Sequence, residues 1–255
     1  MHEFDGLPIH ERPVVLFDFD GTVADTQPAI MRAVGTVLSN HGYELSEEQM
    51  LPLIGPPLEI GIKLVTDMGE QETQVVAAEY RALFERTVTP ADIPLFPHTA
   101  DLLDALAAFG RRLAVATSRV EAPTCKLLDS LGVTQFEAVA GRIPGFRETK
   151  AESIAAALDA LGATSSDAVM VGDRMYDVRG AAELGIPCIG IYSGAAVPGE
   201  LEEAGAVAAC KDMLEVGRVF GRVVAGAACR WRYLRSGICP CHRLPPELLG
   251  IITHC

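Results

Sequence analysis

The segment from Val14 to Thr26, VVLFDFDGTVADT, constrains the fold of this chain more than any other. It begins as a run of apolar and aromatic residues, which is typical of a strand buried on both faces of a parallel sheet. It then becomes an acidic turn that contains Gly21. Asp18 and Asp20 are two residues apart, so in extended chain their side chains point the same way. Two carboxylates that converge at a strand end repel each other unless a cation or a proton intervenes.

The remainder of the chain predicts further strands that alternate with helices. Short apolar strand candidates lie at residues 112–118, 136–140, 168–173 and 187–192. Helical patterns lie beside them, at residues 99–109, 123–131, 151–161 and 177–184. Strands and helices that alternate at this spacing indicate parallel βαβ units. The sequence therefore predicts an α/β protein with a doubly wound parallel sheet.

A segment with helical periodicity and no strand pattern separates the first strand from this alternation. Ser46 and Gln49 have the form of a capping box that begins one of its helices. A stiff loop, Ile54-Gly55-Pro56-Pro57-Leu58, interrupts the helical pattern. We therefore expect residues 26–92 to form a helical insert in a core made of residues 12–25 and 93–220.

Residues 221–255 differ in composition from the chain before them. They contain five arginines, the acid Glu247 and four of the seven cysteines. Cys239-Pro240-Cys241-His242 and His254-Cys255 are residue types that bind zinc, but their spacing is not that of a regular zinc site. We interpret this segment as an atypical C-terminal extension that does not pack on the fold.

Composition and charge exclude several classes of partner. A net charge of −13 argues against a nucleic-acid binder, which would carry a basic face. No apolar run approaches the roughly 20 residues of a membrane span, and the opening residues do not resemble a secretory signal. An odd number of cysteines without a regular framework fits reduced thiols. We expect a cytoplasmic protein with no nucleic-acid or membrane partner.

Polar side chains stand at the predicted ends of strands or at the start of a helix. They are Asp18, Asp20, Thr117, Ser118, Lys150, Asp173 and Asp177. Because the carboxyl ends of the strands in a doubly wound sheet meet at one edge, we expect these side chains to share one crevice. Phosphoryl transfer through a covalent intermediate needs a carboxylate nucleophile, a second carboxyl for proton transfer, donors for phosphate oxygens and a hard cation. Each requirement has a candidate in this set.

These residues resemble, in their order and separations, the four motifs of the haloacid dehalogenase-like (HAD) hydrolase superfamily. The motifs are Asp18-Phe19-Asp20-Gly21-Thr22, Thr117-Ser118, Lys150 and Gly172-Asp173-Arg174-Met175-Tyr176-Asp177. The resemblance covers roughly residues 12–215, and four motifs in order are far more specific than one. It implies a Rossmann-like core with an inserted all-α cap, and a phosphoric monoester hydrolase.

The resemblance also implies roles for the four acids. Asp18 would be the nucleophile that forms an aspartyl-phosphate, and Asp20 would be the general acid and base. A Mg²⁺ cofactor is implied, which Asp18 and Asp173 would bind by their side chains. Asp20 would bind it through its backbone carbonyl, and Asp177 directly or through water. An alternative for Asp177 is that it only caps a helix.

The remaining motif residues would bind the phosphate. Thr117 or Ser118 would donate hydrogen bonds to the phosphoryl oxygens, and Lys150 would pair with the phosphate and the nucleophile. Gly21 and Thr22 would form the turn beside the phosphate, with Thr22 supporting its geometry. The alternatives are that Thr117 and Ser118 only cap the following helix and that Lys150 is a solvated surface lysine.

The helical insert resembles the C1 cap of the phosphoglycolate phosphatase-like branch, on the strength of the loop at residues 54–58. Residues 114–118, 149–154 and 171–174 look closer to a subgroup of 5′-nucleotidase-like proteins. Two substrate classes therefore stay open, a phosphoglycolate-type molecule and a nucleoside 5′-monophosphate. Either way the partner would be a small phosphorylated metabolite, and the protein a monomer or homodimer.

Some residues depart from the pattern of these relatives. Arg119 stands where many of them have lysine, and His98 where they usually have glycine. We expect neither residue to touch the acids, so both would bear on the substrate rather than the chemistry. Arg81 and Arg86 in the insert are expected to be surface charges.

Three other functions use similar residues. A haloacid dehalogenase needs no acid at Asp20 and no metal, and a phosphomutase needs a cap that retains its intermediate. A non-catalytic phospho-signalling receiver domain also gathers acids, a hydroxyl and a lysine, but lacks the acid pair two apart followed by a helical insert. The sequence favours the phosphatase.

Overall fold

The computed structural model describes residue 4 and residues 6–221, and it contains one six-stranded parallel sheet. In chain order, β1 to β6 are Val14–Phe17, Arg112–Val120, Ala138–Arg142, Ala168–Gly172, Cys188–Ile191 and Ala208–Cys210. The order across the sheet is β3-β2-β1-β4-β5-β6. This confirms the doubly wound fold. The sequence did not predict β6, because three residues are too few to show an apolar pattern.

Ten helices are described, α1 to α10 in chain order. They are Gln27–Asn40, Glu47–Met50, Leu58–Val65, Glu70–Thr87, Thr99–Ala108, Glu121–Leu131, Lys150–Leu161, Met175–Glu183, Glu200–Ala204 and Met213–Val219. Apolar residues of α5, α6 and α10 pack on one face of the sheet, and those of α7, α8 and α9 on the other. Among the described residues, no helix is both long and apolar enough to cross a membrane. The extension beyond Gly221, with its interpretation as an unpacked segment, lies outside the described residues.

The strand order creates a switch point between β1 and β4. The chain moves from β1 to β2 and β3 on one side, then returns to place β4 on the other side of β1. Phe17 is in register with Val171, and the Asp18 amide donates to the Val171 carbonyl at 2.9 Å. Asp18 and Asp173, which follow these two strands, therefore leave the sheet side by side, at the position where doubly wound folds bind ligands.

The helical insert contains α1 to α4 and, among its described residues, no strand. It has an apolar core of its own, to which Val34, Ile62 and Phe84 contribute. The predicted capping box of Ser46 and Gln49 begins α2. The two chain segments that enter and leave the insert pair with each other: the Asp25 amide donates to Pro94 at 2.8 Å, and the Phe96 amide to Val23 at 3.2 Å. This pairing holds the insert next to the acidic turn.

A glycine lets two helices of the core pack closely around a buried lysine. Gly180 of α8 faces the start of α7, and a Cβ there would lie 2.8 Å from Lys150 Cγ and 3.2 Å from the Ala151 nitrogen. Lys150 is 8% exposed. Because backbone and a buried side chain would have to shift, a methyl group at this position does not fit without strain.

We predict that Gly180→Ala lowers the free energy of unfolding by about 1–3 kcal/mol, because overpacking outweighs the helix propensity of alanine. Gly217→Ala is the matched control, since its Cβ would meet only Leu102 Cδ1 at 3.5 Å. That variant should be neutral or more stable by up to about 1 kcal/mol. Urea unfolding of both variants tests this, and equal stability changes would contradict it.

Candidate active site

Three buried carboxylates meet at the switch point of the sheet. Asp18 follows β1, Asp173 follows β4, and Asp177 lies in the first turn of α8. Carboxylate oxygens of the three lie within 4.8 Å of one another. The residues are 6%, 1% and 1% exposed. Strand ends place the first two, and the start of a helix places the third, so the cluster is built by the sheet rather than by a mobile loop.

Lys150 is the buried cation of this cluster. Its Nζ lies 2.8 Å from Asp18 Oδ1 and 2.7 Å from Asp177 Oδ1, as ion pairs, and it donates to the Ala116 carbonyl at 3.2 Å. A capping box between Thr149 and Glu152 starts α7 and so fixes the position of Lys150. The structure thus makes Lys150 a buried residue and not a solvated surface lysine.

The charges of the cluster do not balance. Burial raises the pKa of Asp18 to about 7, although Lys150 lowers it. Burial and the neighbouring carboxylates of Asp177 and Asp18 raise the pKa of Asp173 well above its ordinary value. Burial alone would lower the pKa of Lys150, but the carboxylates of Asp177 and Asp18 raise it above its ordinary value. Three carboxylates and one ammonium leave an excess of negative charge, and an oxygen-only donor set of this kind fits a Mg²⁺ ion.

The acidic turn is packed against a segment that follows β5. Ser193 Oγ donates to the Gly21 carbonyl at 2.6 Å, and the Ala195 amide donates to Asp173 Oδ2 at 3.2 Å. A Cβ on Gly194, or on Gly21 with its φ of +76°, would overlap the Asp173 carboxylate. No sequence motif pointed to this segment, although a run of small residues directly after a predicted strand is a signal for close backbone approach.

Thr22 also holds Asp173. It is fully buried, and its hydroxyl donates to Asp173 Oδ1 at 3.3 Å. Asp177 lies two residues beyond Met175, the first residue of α8, and its Oδ2 accepts from the Arg174 amide at 3.0 Å. Asp177 is therefore not the N-cap residue, but it does hold the start of its helix while it joins the cluster.

Thr117 and Ser118 lie within β2, which runs on to Val120. Thr117 is 1% exposed, and its hydroxyl accepts from the Arg119 amide at 3.2 Å. Val120 is the residue before α6. The alternative that the two hydroxyls merely cap α6 is therefore wrong.

A cavity of about 360 Å³ lies between the sheet edge and the helical insert. From the core it is lined by Asp18, Asp20, Thr117, Ser118, Arg119 and Arg142. From the insert it is lined by Ile54, Pro56, Leu58, Tyr80, Arg81 and Phe84. The cavity thus joins the carboxylate cluster to a mixed apolar and basic surface.

Arg119 touches the acid set, contrary to the expectation from sequence. Its Nη1 lies 2.8 Å from Asp20 Oδ1, and the two side chains are 12% and 18% exposed. The prediction failed because an arginine side chain is long, and the sequence does not show which way it extends. His98, the other departure, pairs with Asp101 at 3.5 Å and is not among the partners of the acids.

Arg81 is not a free surface charge either. It donates at 2.5 Å to Oε1 of the buried Glu59 in α3, and Arg142 of β3 donates to the same oxygen at 2.8 Å. Burial alone would raise the pKa of Glu59, but these two guanidinium groups lower it below its ordinary value. Sequence could not reveal this group, since Glu59 and Arg142 are 83 residues apart.

Comparison with known proteins shows the family of the chain. The family model described as haloacid dehalogenase-like hydrolase matches residues 15–191. The chain is 30% identical to a 5′-nucleotidase of Pseudomonas aeruginosa, over 81% of this chain and 95% of that protein. It is 28% identical to a phosphoglycolate phosphatase of Agrobacterium fabrum, over 71% of this chain and 81% of that protein.

A solved structure supports the same grouping. The crystal structure of a predicted phosphatase from Clostridium acetobutylicum superposes with a TM-score of 0.76 and 29% identity. The match covers 81% of this chain and 97% of the other. The chain therefore belongs to the haloacid dehalogenase-like hydrolase family, and it is a phosphatase of that family.

Proposed function

We propose that this phosphatase is Mg²⁺-dependent and hydrolyses a small phosphomonoester through an aspartyl-phosphate intermediate. The observation that carries the proposal is the cluster of Asp18, Asp173 and Asp177 with Lys150, from which Asp18 reaches a cavity that Asp20 also lines. A hard cation in that cluster would offset the repulsion among the carboxylates.

In the first half of the reaction, a carboxylate oxygen of Asp18 attacks phosphorus and forms the aspartyl-phosphate. The bond from phosphorus to the leaving oxygen breaks, and Asp20 gives that oxygen a proton. In the second half, water attacks the same phosphorus and Asp20 accepts its proton. Inorganic phosphate leaves, and the Asp18 carboxylate is restored.

The other polar residues bind and orient. The side chains of Asp18, Asp173 and Asp177 and the backbone carbonyl of Asp20 would hold Mg²⁺, which supplies positive charge against the phosphoryl oxygens. Thr117 and Ser118 would donate to those oxygens.

Lys150 would pair with the phosphate while it holds Asp18. Gly21 supplies the turn, and Thr22 orients Asp173 through the hydrogen bond at 3.3 Å. We prefer this role for Thr22 to direct binding of the phosphate, because its side chain is fully buried.

We further infer that residues 26–92 act as a cap on a core of residues 12–25 and 93–220. The support is the separate apolar core of the insert and the cavity that it covers. Covering the cavity would keep bulk water away from the aspartyl-phosphate. A cytoplasmic location is proposed from the free thiols of Cys125, Cys188 and Cys210.

We propose a phosphoglycolate-type molecule as the first candidate for the substrate. A nucleoside 5′-monophosphate is the second candidate, because about 360 Å³ is more room than a glycolate group needs. We expect kcat/KM on a panel of both classes to rank one at least tenfold above the other, roughly the discrimination that pocket contacts provide. Equal, low values on both classes would show that neither is the substrate.

Asp18→Asn should lower kcat for p-nitrophenyl phosphate at saturating Mg²⁺ by at least about 10³-fold, because an amide is a very poor nucleophile. Asp25→Asn is the matched control. Asp25 lies outside the cluster, and its backbone amide, which the substitution keeps, makes the hydrogen bond to Pro94. Phosphate release measures both variants. Undiminished turnover by Asp18→Asn would eliminate this nucleophile.

The metal-free protein should lose stability as pH rises. The pKa of the Asp18 carboxyl is raised from 3.8 to about 7 in the folded chain, so the protonated form favours folding. Its contribution is therefore lost as pH rises from about 4 to about 7. We expect the unfolding temperature in EDTA to fall across this range, and Asp18→Asn to reduce the slope.

Mg²⁺ should raise the unfolding temperature most at the upper end of that range, because fewer protons compete there with the metal for the Asp18 carboxylate. Asp173→Asn should remove this response and leave the folded protein intact in EDTA. A Mg²⁺ shift that persists in Asp173→Asn would contradict the proposed ligand set.

A further inference from the structure

Arg119 stands at the junction of the core and the helical insert. Its guanidinium contacts Asp20 Oδ1 at 2.8 Å on the core side. On the insert side it lies 4.5 Å from the centroid of the Phe84 ring, and Tyr80 lines the same cavity. Phe84 and Tyr80 both belong to α4. One side chain thus links a helix of the insert directly to the acid of the first motif.

We propose that Arg119 is a positioning residue that fixes the Asp20 carboxyl for proton transfer to the leaving group, and that α4 must be seated for it to do so. The inference rests on the proposed function, in which Asp20 is the general acid. The Arg119 fork occupies Asp20 Oδ1, and Oδ2 has no hydrogen-bond donor among the described residues. The second oxygen is therefore the one left to carry the proton.

The insert contributes because a guanidinium is costly to bury without partners. The Arg119 side chain is 12% exposed, and Asp20 accepts a hydrogen bond from Nη1 only. The face of the Phe84 ring supplies a further contact from the insert. If α4 moved away, Arg119 would regain water and its hold on Asp20 would weaken. In this proposal the Asp20 carboxyl is correctly oriented only when α4 is in contact with Arg119.

A different role for Arg119 is direct binding of phosphoryl oxygens. Arginine is well suited to that, and Arg119 lines the cavity. The two roles differ in which substrates suffer when Arg119 is removed. A phosphate ligand contributes to every phosphomonoester alike. A residue that positions the acid matters only where the leaving oxygen needs a proton.

The test compares two leaving groups. The p-nitrophenolate ion leaves without a proton, whereas an alkoxide from an alkyl phosphomonoester of the substrate panel needs one. Since kcat/KM reports the steps up to departure of the leaving group, it isolates this half of the reaction. Arg119→Met should lower kcat/KM for the alkyl substrate about 10–100-fold and for p-nitrophenyl phosphate less than about threefold.

Companion variants define the mechanism. Asp20→Asn shows how much kcat/KM for the alkyl substrate falls, relative to p-nitrophenyl phosphate, when the acid is absent. Adding Arg119→Met to Asp20→Asn should not lower this ratio further. Phe84→Leu keeps an apolar side chain but removes the ring, so it should give a smaller loss of the same selectivity. Arg32→Met is the matched control: Arg32 pairs with Asp92 at 2.8 Å, but its side chain is 59% exposed and is not part of the cavity lining. It should change neither value.

Each outcome decides the matter. Equal losses on the two substrates, or no loss, would overturn the positioning role of Arg119, even when Asp20→Asn shows the selective effect. If Asp20→Asn itself shows no selectivity, the acid assignment in the proposed function is wrong and the inference falls with it. Thermal unfolding with and without Mg²⁺ confirms that each variant is folded and binds the metal, so a loss of selectivity cannot come from unfolding.

Discussion

The repulsion among three buried carboxylates is the constraint on which the rest of the site depends. Burial raises the pKa of Asp18 and of Asp173 and so favours their neutral forms, yet the sheet places these two acids side by side and α8 adds Asp177. Lys150 offsets part of that charge, and the packing of α7 against Gly180 keeps it buried. Hydrogen-bond donors around Asp173 fix the orientation of its carboxylate. The cluster therefore lowers stability locally, as is common at functional sites.

Three arginines of the core make polar contacts with the helical insert or with the loop inside it. Arg119 reaches α4, Arg142 reaches Glu59 of α3, and Arg174 donates to the Ile54 carbonyl while it pairs with Glu200 at 2.8 Å. Apolar side chains of the core, Leu127, Leu131 and Ala195, pack against the insert as well. Polar and apolar contacts together therefore hold the insert over the cavity.

The carboxylate cluster and the arginine contacts with the insert are connected through Asp20. This residue begins the turn that leads into the insert, and it also shares the cavity with Asp18. The turn is held by the hydrogen bond between Asp25 and Pro94, so only a few residues of chain separate the acid from the insert.

The sequence by itself determined the alternation of strands and helices, the acidic turn, and the set of Asp18, Lys150, Asp173 and Asp177, because these depend on local pattern and on strand ends that must meet. It also placed the helical insert. The tertiary structure alone decided which way long side chains extend. Arg119 on Asp20, Arg142 on Glu59 and Gly194 against Asp173 are contacts between segments far apart in the chain. Such contacts follow from packing in three dimensions, which no local periodicity records.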